Sequence, residues 1–322
     1  MAASPPPDLV ERFRRDLEML AGTPPALAVA VSGGPDSLAL LLLAHAALPG
    51  RVHAATVDHG LRPDSSAEAL EVARLCGELG VGHRILAVRV ERAGEGVQAA
   101  AREARYAALA GWMEAQGLTL AATAHHADDQ AETLLMRLNR GSGVAGLAGV
   151  RSAGPVPGTA GKLRLCRPLL GWRRTELEAL VRAAGLEPAR DPSNEDEAFD
   201  RVRLRRRLSE APWLDVPALA RSAALLAEAE AALDWTVGPL FAARVAEAGG
   251  AVILRPDGLP PELLRRLVLL CLRRVAPEAS PRGDALAGLI GRLGGGGAAT
   301  LCGVKAQGGE TWRFAPAPPR RA

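Results

Sequence analysis

Residues 31–37, with the sequence VSGGPDS, are the feature that most limits how this chain of 322 residues can fold. They follow the apolar run 26–31, which predicts a β-strand, and precede a long Leu- and Ala-rich run, which predicts a helix. A Ser/Gly turn that joins a strand directly to a helix leaves unpaired backbone N–H groups at the positive end of the helix dipole. The segment therefore predicts a βα unit with a site for an anion such as pyrophosphate.

Asp36 within this segment indicates a cation, because a carboxylate near a phosphate needs a positive charge such as Mg²⁺ between them. Gly33 and Gly34 let the backbone approach an anion, and Ser32 and Ser37 add hydroxyl donors. The lysine of a Walker A loop and the GxGxxG spacing of a dinucleotide-binding loop are both missing here. The alternative is a glycine-rich turn in an ordinary βα unit without a ligand.

The first two hundred residues alternate strand and helix patterns, which predicts an α/β fold with a parallel sheet covered by helices on both faces. Further strands are predicted at residues 52–57, 83–90 and 118–124, and helices at residues 65–79, 97–116 and 127–138. Ligands of such sheets bind beyond the carboxyl ends of the strands. Polar segments follow the predicted strands at residues 32–37, 58–62 and 125–130, so we expect them at one edge of the sheet.

Residues 125–133, with the sequence HHADDQAET, form a second candidate site. Two imidazoles and three carboxylates at a strand-to-helix junction could bind Mg²⁺, hold an ammonium group or accept a proton. A zinc site is disfavoured, because the spacing is not HxxxH and no cysteine lies near. Without a ligand, the acidic residues would only stabilise the helix N-terminus, with an aspartate as its cap.

The composition predicts a protein of a reducing compartment with more than one domain. A hydrophobic fraction of 48% over this length can form a sizeable core, and the net charge of +3 is weak support for a nucleic-acid partner. The four cysteines lie far apart without a CxxC pair, which disfavours a disulfide framework, a zinc knuckle and an iron–sulfur site. The N-terminus lacks a secretory pattern, and the apolar run 38–48 is too short to span a bilayer. We therefore expect a cytoplasmic protein without a membrane partner.

Residues 139–162, rich in Gly, Ala and Pro, predict a mobile loop that becomes ordered when a partner binds. Their GSGVAG sequence matches GxGxxG, but a helix pattern precedes it instead of a strand, which argues against a dinucleotide site.

Arginines become dense from residue 164 and end in the run RVRLRRR at residues 201–207. They could bind RNA phosphates, or form a solvated helix face paired with the acidic residues 195–197. Aromatic residues make up only 3% of the chain, so stacking on bases would depend on few side chains, such as Tyr106, Trp172 or Phe199.

The pattern changes near residue 211, which predicts an N-terminal domain of residues 1–210 and a C-terminal domain of residues 211–322. In the second domain, helices are predicted at residues 217–248 and 260–274, and strands at 251–254, 299–304 and 311–316. This mixture predicts a small, largely helical α+β domain. The Pro- and Arg-rich tail 315–322 is predicted to be disordered.

The motif at residues 32–37 resembles the SGGxDS signature of the PP-loop, or N-type, ATP pyrophosphatases, which cleave ATP between its α and β phosphates. Four more motifs resemble the tRNA(Ile)-lysidine synthetase family in order and spacing: DHGLR at 58–62, AREARY at 101–106, HHADDQAET at 125–133 and RGSGVAGL at 140–147. RPLL at 167–170 and DPSNEDEAFDR at 191–201 extend the resemblance. Five motifs in order are far more specific than the loop alone, which enzymes of sulfur transfer, amidation and NAD synthesis share.

This resemblance implies a PP-loop ATPase fold, with a Rossmann-like parallel sheet, followed by a domain that engages tRNA. It implies a tRNA-modifying ligase that attaches free L-lysine to the wobble cytidine of the isoleucine tRNA with a CAU anticodon, changing its codon specificity from AUG to AUA. ATP would adenylate the ring carbonyl oxygen of cytosine, with release of pyrophosphate, and the lysine ε-amine would then displace AMP. The target base would have to leave the anticodon stack.

The same resemblance implies roles for individual residues. ATP and pyrophosphate would be bound by Ser32, Gly33, Gly34, Pro35, Asp36, Ser37, Val57, Asp58 and Arg105. The catalytic residues would be Asp36, His125, Asp128 and Asp129, of which Asp36 and Asp129 would also hold Mg²⁺. Arg201 and Arg205 would contact the tRNA or the substrate. The implied partners are the tRNA, free lysine and, in a homodimer, a second copy of the chain.

One residue departs from the family pattern. Val202 follows Arg201 where the family usually carries an asparagine, so a local contact to tRNA or substrate is expected to be missing, while Arg205 still matches. Three alternatives remain open. They are a PP-loop tRNA thiolase, for which paired cysteines or a sulfur-carrier domain would be expected, a glutamine-dependent amidating enzyme, and a noncatalytic RNA-binding relative.

Overall fold

The computed structural model describes residues 2–60, 65–88, 97–189 and 200–318. Parts of three predicted features lie outside these ranges: residues 61–62 of the second motif, residues 89–90 of the third predicted strand, and residues 191–199 of the last motif, with the acidic residues 195–197 and Phe199. The chain divides into two compact units, Met1–Ala227 and Glu228–Ala322. The functional division into residues 1–210 and 211–322 stays a prediction.

A six-stranded sheet forms the centre of the first unit. Its strands are β1 (Leu27–Ala30), β2 (Val52–Asp58), β3 (Gly82–Ala87), β4 (Leu120–Ala122), β5 (Ala153–Pro155) and β6 (Arg164–Cys166). In space their order is β3-β2-β1-β4-β6-β5, with the first five strands parallel and β5 antiparallel to β6. The predicted α/β fold is thus confirmed, but the sheet is mixed and mostly parallel.

Helices connect these strands and extend the unit beyond the sheet. They are α1 (Pro7–Ala21), α2 (Pro35–Ala47), α3 (Ser65–Leu79), α4 (Val97–Ala115), α5 (Ala127–Asn139), α6 (Val144–Leu147), α7 (Arg174–Ala183), α8 (Asp200–Ser209) and α9 (Val216–Arg244). Residues 228–244 of α9 already belong to the second unit. The helices predicted at residues 65–79, 97–116 and 127–138 match α3, α4 and α5 within one residue at each end.

The prediction of a loop over residues 139–162 is wrong in part, because this segment contains α6 and the edge strand β5. Ala153 pairs with Cys166, and Pro155 pairs with Arg164. Small residues and a proline have little intrinsic preference for a strand, so pairing with β6 determines this conformation. Proline is tolerated here because β5 lies at the edge of the sheet.

Side chains alternate between the two faces of the sheet. Leu27 and Val29 of β1 pack in a core cluster with apolar residues of α1, α2, α3 and α7, whereas Ala28 packs on the opposite face with α4. This period of two is what a strand buried on both faces requires. The expected helical layers on both faces are therefore present.

Helix α2 is apolar on all sides, and its residues 38–44 are all buried. Such a helix needs neighbours around its whole circumference. The amphipathic helix α1 supplies one of them, burying Val10, Phe13 and Leu17. The deep burial of α2 fixes the position of its N-terminus, which follows the Ser/Gly turn.

The second unit contains an antiparallel sheet with the order β7-β8-β11-β10-β9. Its elements are β7 (Val245–Ala248), β8 (Ala251–Leu254), α10 (Pro261–Val275), α11 (Gly283–Gly294), β9 (Ala298–Leu301), β10 (Val304–Gln307) and β11 (Trp312–Pro316). Residues of both helices and of the sheet form one core cluster around the fully buried Phe314. The predicted α+β character is confirmed.

Three predictions for this unit are wrong, two of them because of two-residue turns. Gly249 and Gly250 both have positive φ and join β7 to β8 in a hairpin, so residues 245–248 form a strand instead of the predicted end of a helix. Cys302 and Gly303 also have positive φ, so the single strand predicted at 299–304 is two strands. Ala315 and Pro316 of the expected disordered tail pair with β10. Residues 319–322 lie outside the described ranges.

Among the described residues, no helix has both the length and the apolar character that a membrane span requires.

Replacing Leu41 in α2 by alanine is expected to destabilise the first unit by about 3 to 5 kcal/mol, because a fully buried leucine leaves a cavity in a tightly packed core. Leu70→Ala in α3 is the matched control. Leu70 is 62% exposed, so its loss should cost less than about 0.5 kcal/mol. Urea denaturation followed by tryptophan fluorescence measures both, and equal midpoints would contradict the burial of α2.

Candidate active site

The candidate site lies where the strand order reverses. From β1 the chain crosses to β2 and β3 on one side, and it then returns to β4 on the other side of β1. The carboxyl ends of the parallel strands β1 and β4 are therefore neighbours. Such a switch point leaves a crevice in which ligands bind. Residues 32–37 and residues 123–129 meet there.

The first connection exposes the N-terminus of α2. Gly33 has φ +85°, a conformation that disfavours any side chain, and Gly34 is the N-cap, without a side-chain capping bond. Pro35 is the first helical residue, where its missing N–H costs nothing. The free N–H groups of the first turn are thus available to an anion, as the sequence predicted.

The two serines of the loop are used in different ways. The Ser37 hydroxyl is buried; it donates to the Gly34 carbonyl at 2.9 Å and accepts from the Ser32 N–H at 3.1 Å. The Ser32 and Ser37 hydroxyl oxygens lie 3.2 Å apart. Ser37 therefore holds the loop closed, with Gly33 buried and Gly34 half-buried, and the Gly33 carbonyl accepts from the Ala189 N–H at 3.0 Å.

His126 is the N-cap of α5 and joins the two connections. Its Nδ1 accepts from the Asp129 N–H at 3.3 Å, and its own N–H donates to Asp129 Oδ2 at 3.1 Å. The Nε2 atom lies 3.4 Å from Asp36 Oδ2 and 3.6 Å from Asp129 Oδ2. One imidazole thus brings the predicted catalytic carboxylates of Asp36 and Asp129 together.

This arrangement changes the acidity of its members. Burial opposes a charge on His126, but the nearby Asp36 and Asp129 carboxylates outweigh it and raise the pKa of His126 above 6.5. Burial likewise favours protonation of Asp129, but His126, Arg201 and His125 outweigh it and hold the pKa of Asp129 below 3.8. The group therefore carries charge near neutral pH even though it is largely buried.

The fit of the site to Mg²⁺ can be judged from the Asp36 carboxylate. Its Oδ1 atom is buried and has no hydrogen-bond partner among the described residues. A buried carboxylate oxygen without a donor suits a cation. The described residues contain no group of three or more His, Cys, Asp or Glu side chains arranged for a metal. Two carboxylates together with substrate phosphates are nevertheless a common Mg²⁺ site, so the donor set fits.

His125 precedes this group and is neutral. Its Nδ1 lies 3.1 Å from the Thr123 hydroxyl. Burial, helped by nearby arginines, lowers the pKa of His125 to about 4 against the opposing charge of Asp129. At neutral pH the ring therefore carries one proton and keeps one nitrogen as an acceptor.

Asp128 has a structural set of partners. Its carboxylate accepts from the Arg173 guanidinium at 3.1 to 3.3 Å and from the Arg174 N–H, the first of α7, at 2.8 Å. Burial favours protonation, but these donors prevail and lower the pKa of Asp128. Asp128 thus ties the start of α5 to the start of α7 instead of facing the site openly.

Glu132 lies one turn further along α5, and its side chain is 2% exposed. It accepts from Arg201 Nε and from Arg205 Nε, both at 2.8 Å. Arg201 also reaches Asp129 Oδ1 at 3.3 Å. The two predicted substrate-binding arginines are therefore at the site, held there by buried acidic partners.

The remaining predicted residues lie at β2, beside this group. The Asp58 carboxylate accepts from the Gly60 N–H at 2.9 Å and from the Ser65 and Ser66 hydroxyls at 2.7 Å, which lowers its pKa. Arg105 Nε lies 3.3 Å from His59 Nε2, and Val57 is half-buried near the end of β2. Among the described residues, no hydrogen bond or ion pair joins Val57, Asp58 or Arg105 to Asp36 or Asp129.

Sequence reasoning missed His126 and Glu132 as individual site residues. Histidine is not a favoured N-cap, so the helix start at residue 127 did not single out His126 from its neighbour. Glu132 fitted equally well as an acidic residue of the first helical turns. Its spacing of three from Asp129 was a usable signal, because it places both carboxylates on one helix face.

Comparisons with known proteins show what this chain is similar to in sequence and in fold. Residues 9–211 match the family model of the PP-loop domain. A tRNA(Ile)-lysidine synthase of Novosphingobium aromaticivorans is 49% identical over 97% of this chain and 94% of its own length. A second one, of Zymomonas mobilis, is 46% identical over 92% of this chain and 89% of its own length.

Among solved structures, the U34-tRNA thiolase NcsA from Methanococcus maripaludis has a TM-score of 0.54 and 16% identity, covering 69% of this chain and 79% of its own. At this identity the similarity shows the fold alone.

Replacing Gly33 by alanine is expected to weaken binding of inorganic pyrophosphate about tenfold, equivalent to ~1.4 kcal/mol. Alanine is strained at the positive φ of this position, and the loop would shift to relieve that strain. Gly22→Ala is the matched control, because Gly22 has φ +70° but follows α1, away from the loop. Both variants should lose about 1 to 2 kcal/mol of stability. Calorimetric titration measures the affinity, and equal affinities in the two variants would contradict the anion site.

Proposed function

The chain belongs to the tRNA(Ile)-lysidine synthase family of PP-loop proteins, and we propose that it ligates free L-lysine to the wobble cytidine of the isoleucine tRNA with a CAU anticodon. The reaction consumes ATP and releases pyrophosphate and AMP. One observation carries the proposal beyond family membership. His126 holds the Asp36 and Asp129 carboxylates together beside the open N-terminus of α2, so phosphate and cation sites adjoin.

In the first step the cytosine ring oxygen attacks the α-phosphate of ATP. A bond forms between this oxygen and phosphorus, and the bond between the α and β phosphates breaks, with its electron pair leaving on pyrophosphate. The loop of residues 32–37 receives the pyrophosphate through its N–H groups and the helix dipole. Val57 lies near the end of β2, and Arg105 of α4 contacts His59 just after it, so both would border the nucleotide.

In the second step the lysine ε-amine attacks the ring carbon, and AMP leaves with the former ring oxygen. Adenylation makes this possible, because a phosphate ester is a far better leaving group than the free oxygen. Asp129 attracts the cationic lysine side chain, which must lose one proton to water before its free amine can attack. Neutral His125 then accepts the second proton, from the nitrogen that has formed the new bond. This nitrogen becomes strongly acidic once its new bond forms, so a base with a pKa of about 4 is sufficient.

Mg²⁺ would be held by Asp36 and Asp129 together with phosphate oxygens, and its role would be to offset charge on the departing pyrophosphate. Asp128 acts as a positioning residue, since Arg173 and the N-terminus of α7 already occupy its oxygens. Arg201 and Arg205 orient Asp129 and present positive charge to the anticodon backbone.

The cysteines argue against the thiolase alternative. Cys76, Cys166 and Cys271 are buried, and burial raises the pKa of each thiol to about 12. A thiol needs its thiolate form to carry sulfur, so these three residues are inert near neutral pH. Cys302 is exposed but has no cysteine partner among the described residues. For the glutamine-dependent amidating alternative, no feature of the described residues supplies positive support.

Two further expectations remain proposals. We place the protein in the cytoplasm, where its tRNA, ATP and lysine are present. A homodimer stays a predicted assembly.

Pyrophosphate release from ATP distinguishes the remaining alternatives. With Mg²⁺ and free lysine, release should occur with unmodified isoleucine tRNA bearing CAU and not with methionine tRNA bearing the same anticodon. Labelled lysine should become attached to the isoleucine tRNA alone. Release with neither tRNA would support another acceptor or a noncatalytic relative, and would refute the lysidine assignment.

Asp36→Asn is expected to slow pyrophosphate release about 100-fold or more. The neutral amide would bind Mg²⁺ more weakly than the carboxylate does, so less positive charge would be held at the leaving pyrophosphate. The Mg²⁺ concentration for half-maximal rate should also rise. Asp8→Asn, at an exposed position of α1, is the control and should leave both quantities unchanged. A slow variant with an unaltered Mg²⁺ dependence would exclude Asp36 as a metal ligand.

A further inference from the structure

A groove of about 530 Å³ lies between α5 and α8, next to the active-site residues of both helices. Its lining begins one helical turn after Glu132, a distance of about 5 Å along α5. Apolar side chains form much of its wall, and arginines and a tryptophan complete it. The residues used below are Leu135, Met136, Leu204, Arg207, Leu208 and Trp213.

Trp213 is the unusual member of this lining, because 79% of it is exposed. The aromatic residues that the sequence offered for base stacking do not serve this purpose. Tyr106 is 5% exposed and Trp172 is fully buried, where it donates to Asp16 and packs under Arg12. Phe199 lies outside the described residues. An exposed indole beside an apolar groove has a face available for stacking on a ligand.

The two sides of α8 face different parts of the protein. Arg201 and Arg205 point to Glu132 in the active site, whereas Leu204, Arg207 and Leu208 line the groove. Arg140 and Arg203 add further positive charge to the lining, and no acidic side chain of the described residues belongs to it. The groove is therefore complementary to a ligand that has both a flat apolar part and a negative charge.

We propose that this groove binds an unpaired nucleotide that flanks the target cytidine in the anticodon loop, an inference that rests on the proposed function. Its base stacks on Trp213 over Leu204 and Leu208, and its phosphate lies against Arg207. Bringing the cytidine into the active site breaks its stacking on the neighbouring base. A stacking partner in the neighbouring groove compensates this loss for the adjacent base, and so keeps the loop open.

The groove volume and position favour a single nucleotide over a longer segment. About 530 Å³ is within the usual range for a small-ligand site. The separation of about 5 Å from Glu132 compares with a rise of about 3.4 Å per stacked base, so the next nucleotide can reach it. A second copy of the chain is the competing occupant, and it would need a far larger surface.

The proposal is tested with the full chain and the unmodified isoleucine tRNA. Trp213→Ala should raise the Kd for the tRNA about 5- to 100-fold, as loss of one stacked base predicts, and raise KM for tRNA with little change in kcat. Trp213→Tyr should restore affinity, because it keeps an aromatic face. Met19→Ala, at a residue that is 78% exposed on α1, is the matched control and should change Kd less than about twofold.

An abasic substitution supplies the specific readout. Removing the base on either side of the target cytidine in turn should weaken binding to the unsubstituted protein at one of the two positions. At that position the loss should disappear in Trp213→Ala, since both changes remove the same contact. Arg207→Ala should reduce the salt dependence of log Kd by about one, and Arg206→Ala, outside the groove lining, should not.

The outcomes separate this proposal from the proposed function. If the unsubstituted protein attaches lysine and Trp213→Ala binds tRNA equally well, the groove proposal is overturned and the function stands. If no lysine is attached to any tRNA, the proposed function fails, and the abasic experiment still decides whether Trp213 stacks on a base. A change in sedimentation with unchanged tRNA affinity would assign the groove to a second copy and overturn the proposal.

Discussion

The imidazole of His126 is the contact on which the rest of the site depends. It caps α5, and its Nε2 lies within 3.6 Å of carboxylates from both connections at the switch point. Two carboxylates this close in a largely buried place repel each other, and the repulsion is strong where water is scarce. A raised pKa on His126 is the electrostatic consequence. The sheet brings the two connections together, and His126 reduces the repulsion between their carboxylates.

The same requirement explains why arginines surround the site. An unpaired buried charge destabilises the folded protein far more than a buried ion pair stabilises it. Accordingly, each acidic residue of α5 has a cationic partner. Asp128 is paired with Arg173 at the start of α7, and Glu132 with Arg201 and Arg205 of α8. Segments distant in sequence are thereby attached to the same helix. These pairs serve to place elements, while hydrophobic burial in α2 supplies most of the stability.

The sequence predicted the scaffold better than the contacts within it. A strict strand and helix rhythm located β1 to β4 and α3 to α5, and motifs at strand ends located the site, because parallel sheets have one active edge. The edge strand β5 escaped prediction, since AGP becomes a strand only by pairing with β6. Position on the sheet also could not distinguish the carboxylate that faces His126 from the one that ties α5 to α7. Asp128 and Asp129 are adjacent in sequence, yet one caps α7 and the other faces His126.

The balance of charge around His126 explains how the site can accept cations and anions in turn. The carboxylates of Asp36, Asp129 and Glu132 face the guanidiniums of Arg201 and Arg205, which leaves one negative charge in excess when His126 is neutral. Protonation of His126, whose pKa is raised, cancels this excess. In the neutral state the excess would attract a metal ion or an ammonium group, and the first turn of α2 would offset a phosphate close by. In the proposed reaction adenylation comes first, because AMP can be displaced only after it has been attached, and the negative charge left once pyrophosphate departs would favour the cationic lysine side chain.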